Sequence, residues 1–264
     1  MTGRSKGNGP RGKALSGKVV ELARPAEPAI AKVFDEFLTE KRRELGAKTI
    51  RQYEDVICLL RGHLDGCAYE SLSKPERALW ERAFNAEGEA HREFCDLFGP
   101  EKIPEHLDGF FGYFMIRKVI AGPALVRAAG TVTKKLSAWL AAKGYIEAEA
   151  ARKAAERSSA ASRDLPRADR AAKILYEAAS RVAVNVTTLP DSDYLEFDHF
   201  IITRIEPGKL WLEVWEGGKP EERGPISVPR AATDLLCPGW WLSCALARVG
   251  KSWHIVEMTN VYPD

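Results

Sequence analysis

Residues 197–216, FDHFIITRIEPGKLWLEVWE, decide how the chain divides. Two runs of β-branched and aromatic residues, 197–205 and 210–216, flank Glu206-Pro207-Gly208-Lys209. Pro207 fixes φ at the first central position of a type II turn and Gly208 supplies positive φ at the second, so the stretch reads as a hairpin. In the second run, alternation puts Leu210, Leu212 and Val214 on one face and Trp211 and Trp215 on the other. Residues 226–228, 240–248 and 252–258 continue the pattern, divided by Gly217-Gly218, Pro238-Gly239 and Gly250-Lys251. Residues 229–236 leave room for one or two helical turns. About five strands within residues 190–264 is the size of a small antiparallel β barrel, SH3-like or OB-like.

Upstream of Pro190 the apolar period changes from two to three-and-four, the mark of helices. Ile30, Val33, Phe34, Phe37 and Leu38 form a first stripe that stops near Gly46. A second begins near Lys48, with Ile50, Tyr53, Ile57, Leu60 and Leu64. A third segment, 75–98, ends at Gly99-Pro100. A fourth, 104–121, is dense in aromatics (Phe110, Phe111, Tyr113, Phe114), and a fifth, 123–143, lies between Gly122-Pro123 and Gly144. Residues 147–163 (EAEAARKAAERSSAASR) are Ala-rich and charged and read as an exposed connecting helix. Asp164 and Pro166 then open a second, amphipathic helix carrying Ile174, Leu175, Ala178, Ala179 and Val182. Residues 1–28 are too polar to offset their ordering entropy and read as a solvated basic tail. The expected fold class is α+β with several parts: the tail 1–28, an all-α domain 29–146, a helical linker 147–189 and the β barrel 190–264.

Two pieces of the helical region resemble the core-binding (SAM-like) domain on the N-terminal side of tyrosine recombinases, the phage-integrase family. One is FDEFLTEKRRELGAKTIRQYEDVICLLRGHL, residues 34–64; the other is TVTKKLSAWLAAKGYI, residues 131–146. The resemblance implies a helical half-clamp on duplex DNA, with the chemistry in a separate C-terminal domain. That chemistry needs cations at the scissile phosphate, a His-x-x-Arg element and a Tyr nucleophile. His91 is followed at once by Arg92, and His254 is followed three residues later by Glu257, so no His-x-x-Arg occurs. Tyr262 sits near the C-terminal end as such a nucleophile would, but its setting, TNVYPD, follows a β run and lacks those partners. The expectation is therefore DNA binding without cleavage, and no enzyme activity.

Charge points the same way. The formal net charge of +2 is an average over +4 in residues 1–28, +3 in 29–189 and −5 in 190–264. Residues 109–146 hold six bases (Arg117, Lys118, Arg127, Lys134, Lys135, Lys143) and no acid. Lys48, Thr49, Arg51 and Gln52 open the second helix, where free backbone N–H groups favour phosphate. Arg127, Thr131, Lys134 and Lys135 fall on one helical face by their spacing. With Arg117 and Lys118, which close the fourth helix, these ten residues are the candidate DNA contacts. The acidic barrel holds Trp211, Trp215, Trp240, Trp241 and Trp253, better suited to protein contacts or self-association than to DNA. A protein-interaction adaptor on the same helices, without nucleic acid, is the competing expectation.

Other classes are excluded or expected to be absent. The chain contains no G-x-G-x-x-G, P-loop, G-x-S-x-G or H-E-x-x-H. Neither a spanning apolar run nor a signal-type N-terminus is present, so a cytoplasmic protein without membrane contact is expected. Five cysteines lack any Cys-x-x-Cys and read as reduced thiols. His63/Cys67 and His91/Cys95 are two His-x-x-x-Cys pairs whose convergence on zinc would need four ligands to meet. Gly66 interrupts the first pair, and no metal or cofactor is expected.

Overall fold

The computed structural model describes residues 24–120 and 122–263. The fold is α+β, a helical region followed by a five-stranded sheet. The helical part begins with α1 (Ile30–Glu44) and α2 (Ala47–Cys67), whose predicted stripes are buried at Val33, Phe37, Ile57, Leu60 and Leu64. Most of the expected tail lies outside the described residues. Ala26, assigned to it, is held: its N–H donates to the Leu97 carbonyl at 2.7 Å.

The third expected helix is shorter than its apolar pattern. α3 (Lys74–Phe84) starts on a capping box between Ser73 and Glu76 and stops where the Asn85 side chain donates to the Glu81 carbonyl. A short α4 (Phe94–Leu97) follows. Residues 104–117 then form a continuous helical run containing α5 (Leu107–Gly109), a π-helical turn at Phe110–Phe114 and α6 (Met115–Arg117). The wider π turn sets Phe110 and Phe111 into the core and leaves Tyr113 outside.

α7 (Pro123–Ala142) and α8 (Ala148–Ala179) form a long hairpin. Gly144, at φ 75°, closes α7: its N–H donates to the Ala141 carbonyl and the Tyr145 N–H to that of Leu140, which satisfies the last turn. Carboxylates of α1 clamp this end. Glu40 accepts from Trp139 Nε1 at 2.7 Å, Glu36 accepts from Tyr145 Oη at 2.7 Å, and Lys143 pairs with both.

The linker expectation is corrected. α8 is one helix, not two, and its Ala-rich first half is buried against α7. Ala151, Ala154, Ser158, Ala161 and Leu165 recur at three-and-four spacing, an apolar stripe made of very small side chains. Helices this smooth approach closely. At Gly130 of α7, a Cβ would lie 2.5 Å from the Ser162 backbone N. Pro166 sits inside the helix, between Leu165, the last α8 residue of the helical core, and Ala168, the first under the sheet. A proline there leaves the Ser162 carbonyl without its helical donor, yet burial on both sides keeps the helix running.

The strands are β1 (Tyr194–Glu206), β2 (Lys209–Glu216), β3 (Lys219–Ser227), β4 (Trp241–Val249) and β5 (Ser252–Tyr262). They pair in the order β1-β2-β3-β5-β4, and β4 returns to β1, so the sheet closes on itself. The all-antiparallel expectation fails at one pairing, β3 with β5, which is parallel. Five strands in a ring cannot alternate direction throughout, so at least one parallel neighbour is geometrically required. β3 is longer than read because its first half is polar: Glu221 and Glu222 pair with Val214 and Glu213 while facing solvent. A short α9 (Arg230–Thr233) joins β3 to β4. Ala168, Ala171, Leu175 and Ala179 of α8 share the sheet's core with Ile202, Leu212 and Val261.

Two outcomes follow. Gly130→Ala gains roughly 1 kcal/mol of helix propensity, but its Cβ meets backbone that cannot yield, so a net destabilisation of about 2 kcal/mol is expected in urea unfolding. His63 is buried between Phe110 and Phe114, its Nε2 3.1 Å from the His106 carbonyl, and burial pushes its pKa down to about 4. Above pH 6.5 the ring is neutral in both states and contributes no pH dependence. Between pH 6.5 and 4 the unfolded chain takes up a proton that the folded chain refuses, so stability falls by up to about 3 kcal/mol. The difference in unfolding free energy between the wild type and His63→Gln, measured across that range, isolates this loss; a constant difference refutes it.

Candidate nucleic-acid interface

On α7 the residues facing the core are Val126, Ala129, Val132, Thr133, Leu136 and Leu140, which leaves a solvent-facing stripe at complementary spacing. Arg127, Thr131, Lys134 and Lys135 all lie on that exposed face. From Arg127 to Lys134 the helix rises about 10 Å, about three phosphate steps along one strand of a duplex at 3.4 Å each. Among the described residues, none of the three bases has a carboxylate partner. Thr131 Oγ1 instead lies 3.3 Å from the Ser162 hydroxyl and fixes the spacing of α7 to α8.

Beside the stripe, α7 and α8 enclose an open groove of about 700 Å³. Arg127 enters it from α7, and Arg163, Arg167, Arg170 and Lys173 from α8, with Pro166 between them. Asp164 pairs with Arg163 at 3.6 Å and Arg167 at 3.3 Å, and Asp169 pairs with Lys173 at 2.7 Å. Arg167 is further anchored over the Trp240 ring, 5.3 Å from its centroid, with Nη2 directed at Cys237 Sγ. Arg127 and Arg170 are the groove cations that no described carboxylate neutralises. The α8 arginines escaped the sequence reading because acids alternate with them. Their own spacing, 163, 167 and 170, was the usable signal, since it places them along one side of a helix.

The remaining candidates separate. Lys48, Thr49 and Arg51 are exposed on the first turns of α2 and Gln52 is half-buried. Among the described residues no hydrogen bond or ion pair ties their side chains to α7, so they form a second, detached cationic edge. Arg117, expected at the close of the fourth helix, lies apart from the α7 face. Its guanidinium turns to the sheet, Nε donating to Tyr262 Oη at 2.6 Å and Nη2 lying 3.2 Å from His199 Nε2. Lys118, the C-cap of α6, lies with Nζ 5.8 Å from the Tyr113 ring centroid. Lys143, the last base of the acid-free stretch, is engaged by α1 carboxylates. Its bonds to Glu40 and Glu36 raise its pKa, and those two carboxyls are held below their usual range, Glu36 chiefly by Tyr145 and Glu40 chiefly by Lys143.

Tyr262, expected to lack the recombinase His-x-x-Arg partners, has neighbours from elsewhere in the chain. Closing the sheet brings His199 of β1 against it, the rings stacked at 5.7 Å, and packing of the helices on the sheet adds Arg117. The two His-x-x-x-Cys pairs have other partners. His91 is hydrogen-bonded by Nδ1 to the Phe84 carbonyl and by Nε2 to Glu93, and the Cys95 N–H donates to Asp65. Among the described residues no group of three or more His, Cys, Asp or Glu is disposed to hold a metal ion. No described helix is long and apolar enough to cross a membrane.

Trp211, Trp240 and Trp253 are buried, while Trp215 and Trp241 are exposed. Arg204 covers Trp211, its guanidinium carbon 3.5 Å from the ring centroid, which explains why an outward-facing Trp is buried. No known family model matches this chain, and no curated protein or solved structure matches it.

Proposed function

We propose that this protein binds duplex DNA without cutting it, with the sugar–phosphate backbone along the exposed face of α7 and the adjoining α7–α8 groove. One observation carries the reading: Arg127, Lys134 and Lys135 share a single solvent-facing stripe, and no described carboxylate answers them. Cations so placed attract polyanions. The resemblance of residues 34–64 and 131–146 to integrase core-binding helices supports the same substrate. Lys48 and Arg51 supply a second edge for the duplex.

The closed sheet takes the other role. Its ring order, its parallel β3–β5 pair and a short helix between β3 and β4 favour an OB-like over an SH3-like barrel. The charge of −5 across residues 190–264 turns that surface away from a polyanion. Trp215, 69% exposed at the β2–β3 tip, is the anchor offered to a protein partner or a second copy of the chain.

Anisotropy of a labelled mixed-sequence duplex over a salt series tests the DNA reading. About five phosphate contacts give a slope of log affinity on log salt near −4.5. Replacing Lys134 and Lys135 together by Ala reduces that slope by about 2, whereas Lys143→Ala leaves it unchanged while lowering the melting temperature. After denaturation no label stays with Tyr262. Failure to bind at low salt overturns the DNA reading in favour of the adaptor, and a covalent adduct at Tyr262 overturns the non-catalytic one.

A further inference from the structure

Three elements distant in sequence meet on the seam between the helices and the sheet. The helical run 104–117 brings Tyr113 and Arg117, β1 brings His199, and β5 ends at Tyr262. Arg117 has only donors, so both the Tyr262 oxygen and His199 Nε2 accept from it. Its guanidinium also lies 5.8 Å from the Tyr113 ring centroid and 5.7 Å from that of Tyr262. Among the described residues no carboxylate pairs with it. Next to this cluster an open groove of about 500 Å³ is lined by Gly112, Arg157, Trp241 and Pro263. Trp241 is the cross-strand neighbour of Tyr262, so cluster and groove are continuous.

Two large aromatic faces remain in solvent there, Tyr113 at 42% and Trp241 at 39% exposure. Arg157 adds a second guanidinium, paired at 2.5 Å with Asp108, which also lines the groove, so it offers hydrogen-bond donors more than net charge. Exposed rings interleaved with guanidinium groups match a ligand that has both a flat π face and a phosphate. Bases inside a duplex are stacked on each other and offer no such face, whereas an unpaired nucleotide offers both. We infer that this seam binds unpaired nucleotides of a single-stranded nucleic acid, with bases on Tyr113 and Trp241 and phosphate on Arg117 and Arg157.

The site is separate from the duplex groove. Arg157 and Ser162, five residues apart on α8, project about 140° apart around its axis. The inference uses no α7 residue and stands or falls independently of the duplex reading.

The test uses the full chain and a fluorescein-labelled oligothymidylate of about ten nucleotides, followed by anisotropy, alongside an abasic strand of equal length. The oligothymidylate binds, and the abasic strand binds about tenfold more weakly because it cannot stack. Tyr113→Ala and Trp241→Ala each weaken oligothymidylate binding about tenfold, while the paired change of Lys134 and Lys135 to Ala leaves it unaltered. Arg117→Ala also weakens binding, but it removes the bridge to the sheet as well. Tyr113, which makes no side-chain hydrogen bond among the described residues, therefore carries the decision. Unchanged affinity in Tyr113→Ala and Trp241→Ala, equal binding of the abasic strand, or no binding of oligothymidylate at low salt overturns the inference. Loss through Lys134 and Lys135 in place of the seam residues overturns it too and returns all binding to α7.

Discussion

The structure depends on α8 being a member of two hydrophobic cores at once. From Ala151 to Leu165 its buried stripe belongs to the helical core, and from Ala168 to Ala179 it belongs to the sheet's core. A rigid helix of 32 residues cannot satisfy both sets of contacts in more than one orientation. Because the two stripes run along one rigid helix, a rotation about its axis withdraws both from their cores together. Packing under the sheet therefore fixes how the helices stand, and the sheet is placed by the same constraint. The seam cluster of Arg117, His199 and Tyr262 exists only because that placement is fixed.

Small side chains make this sharing possible. An alanine buries little apolar area, so α8 gains its stability from close approach and many short contacts, not from large groups. Close approach in turn needs Gly130 on α7, where backbone meets backbone. A hairpin packed this tightly keeps long polar side chains out of its interface and directs them to its flanks. Arg127, Thr131 and Lys134 emerge on one flank, with Arg163 and Arg170 beside them. The cationic groove is thus a consequence of how α7 and α8 pack, and loosening Gly130 would alter its width.

The hydrophobic pattern made the division of the chain legible. Helical spacing located α1, α2 and α7, and alternation with Pro207-Gly208 located the β1–β2 hairpin, because in each case large apolar residues mark the buried face. Reading failed where burial does not use large residues. The alanine stripe of α8 gave a weak amphipathic signal and passed for an exposed connector, and Pro166 passed for a helix start although its neighbours were buried. It failed too where polar residues form a strand, as in the first half of β3, since hydrogen bonding to β2 leaves no mark on composition. Of the candidate contacts, the α7 residues stayed together because one helix carries them. The candidate Arg117, and Lys143 of the same acid-free stretch, are held by partners far off in sequence, Tyr262 and His199 in one case, Glu36 and Glu40 in the other, which no local pattern encodes.

Segregation of charge acquires a physical meaning once the partners are known. Of the six bases in the acid-free stretch 109–146, Lys143 is neutralised by α1 carboxylates and Arg117 is turned to the sheet, where its hydrogen bonds go to uncharged acceptors. Arg127, Lys134 and Lys135 keep their charge facing water. Uncompensated cations repel one another and lower stability slightly, a cost that neighbouring acids would have removed, as Asp164 and Asp169 do for Arg163, Arg167 and Lys173. Water and counterions screen most of that cost at an exposed helix face. The same argument separates the two halves of the molecule. On the sheet, Arg204 pairs with Glu206, Arg223 with Glu216 and Arg248 with Asp193, yet with 12 acids against seven bases in residues 190–264 most of the acids have no cation partner among the described residues. One end of the molecule is left short of negative charge and the other short of positive charge, with the uncompensated Arg117 of the seam at their junction.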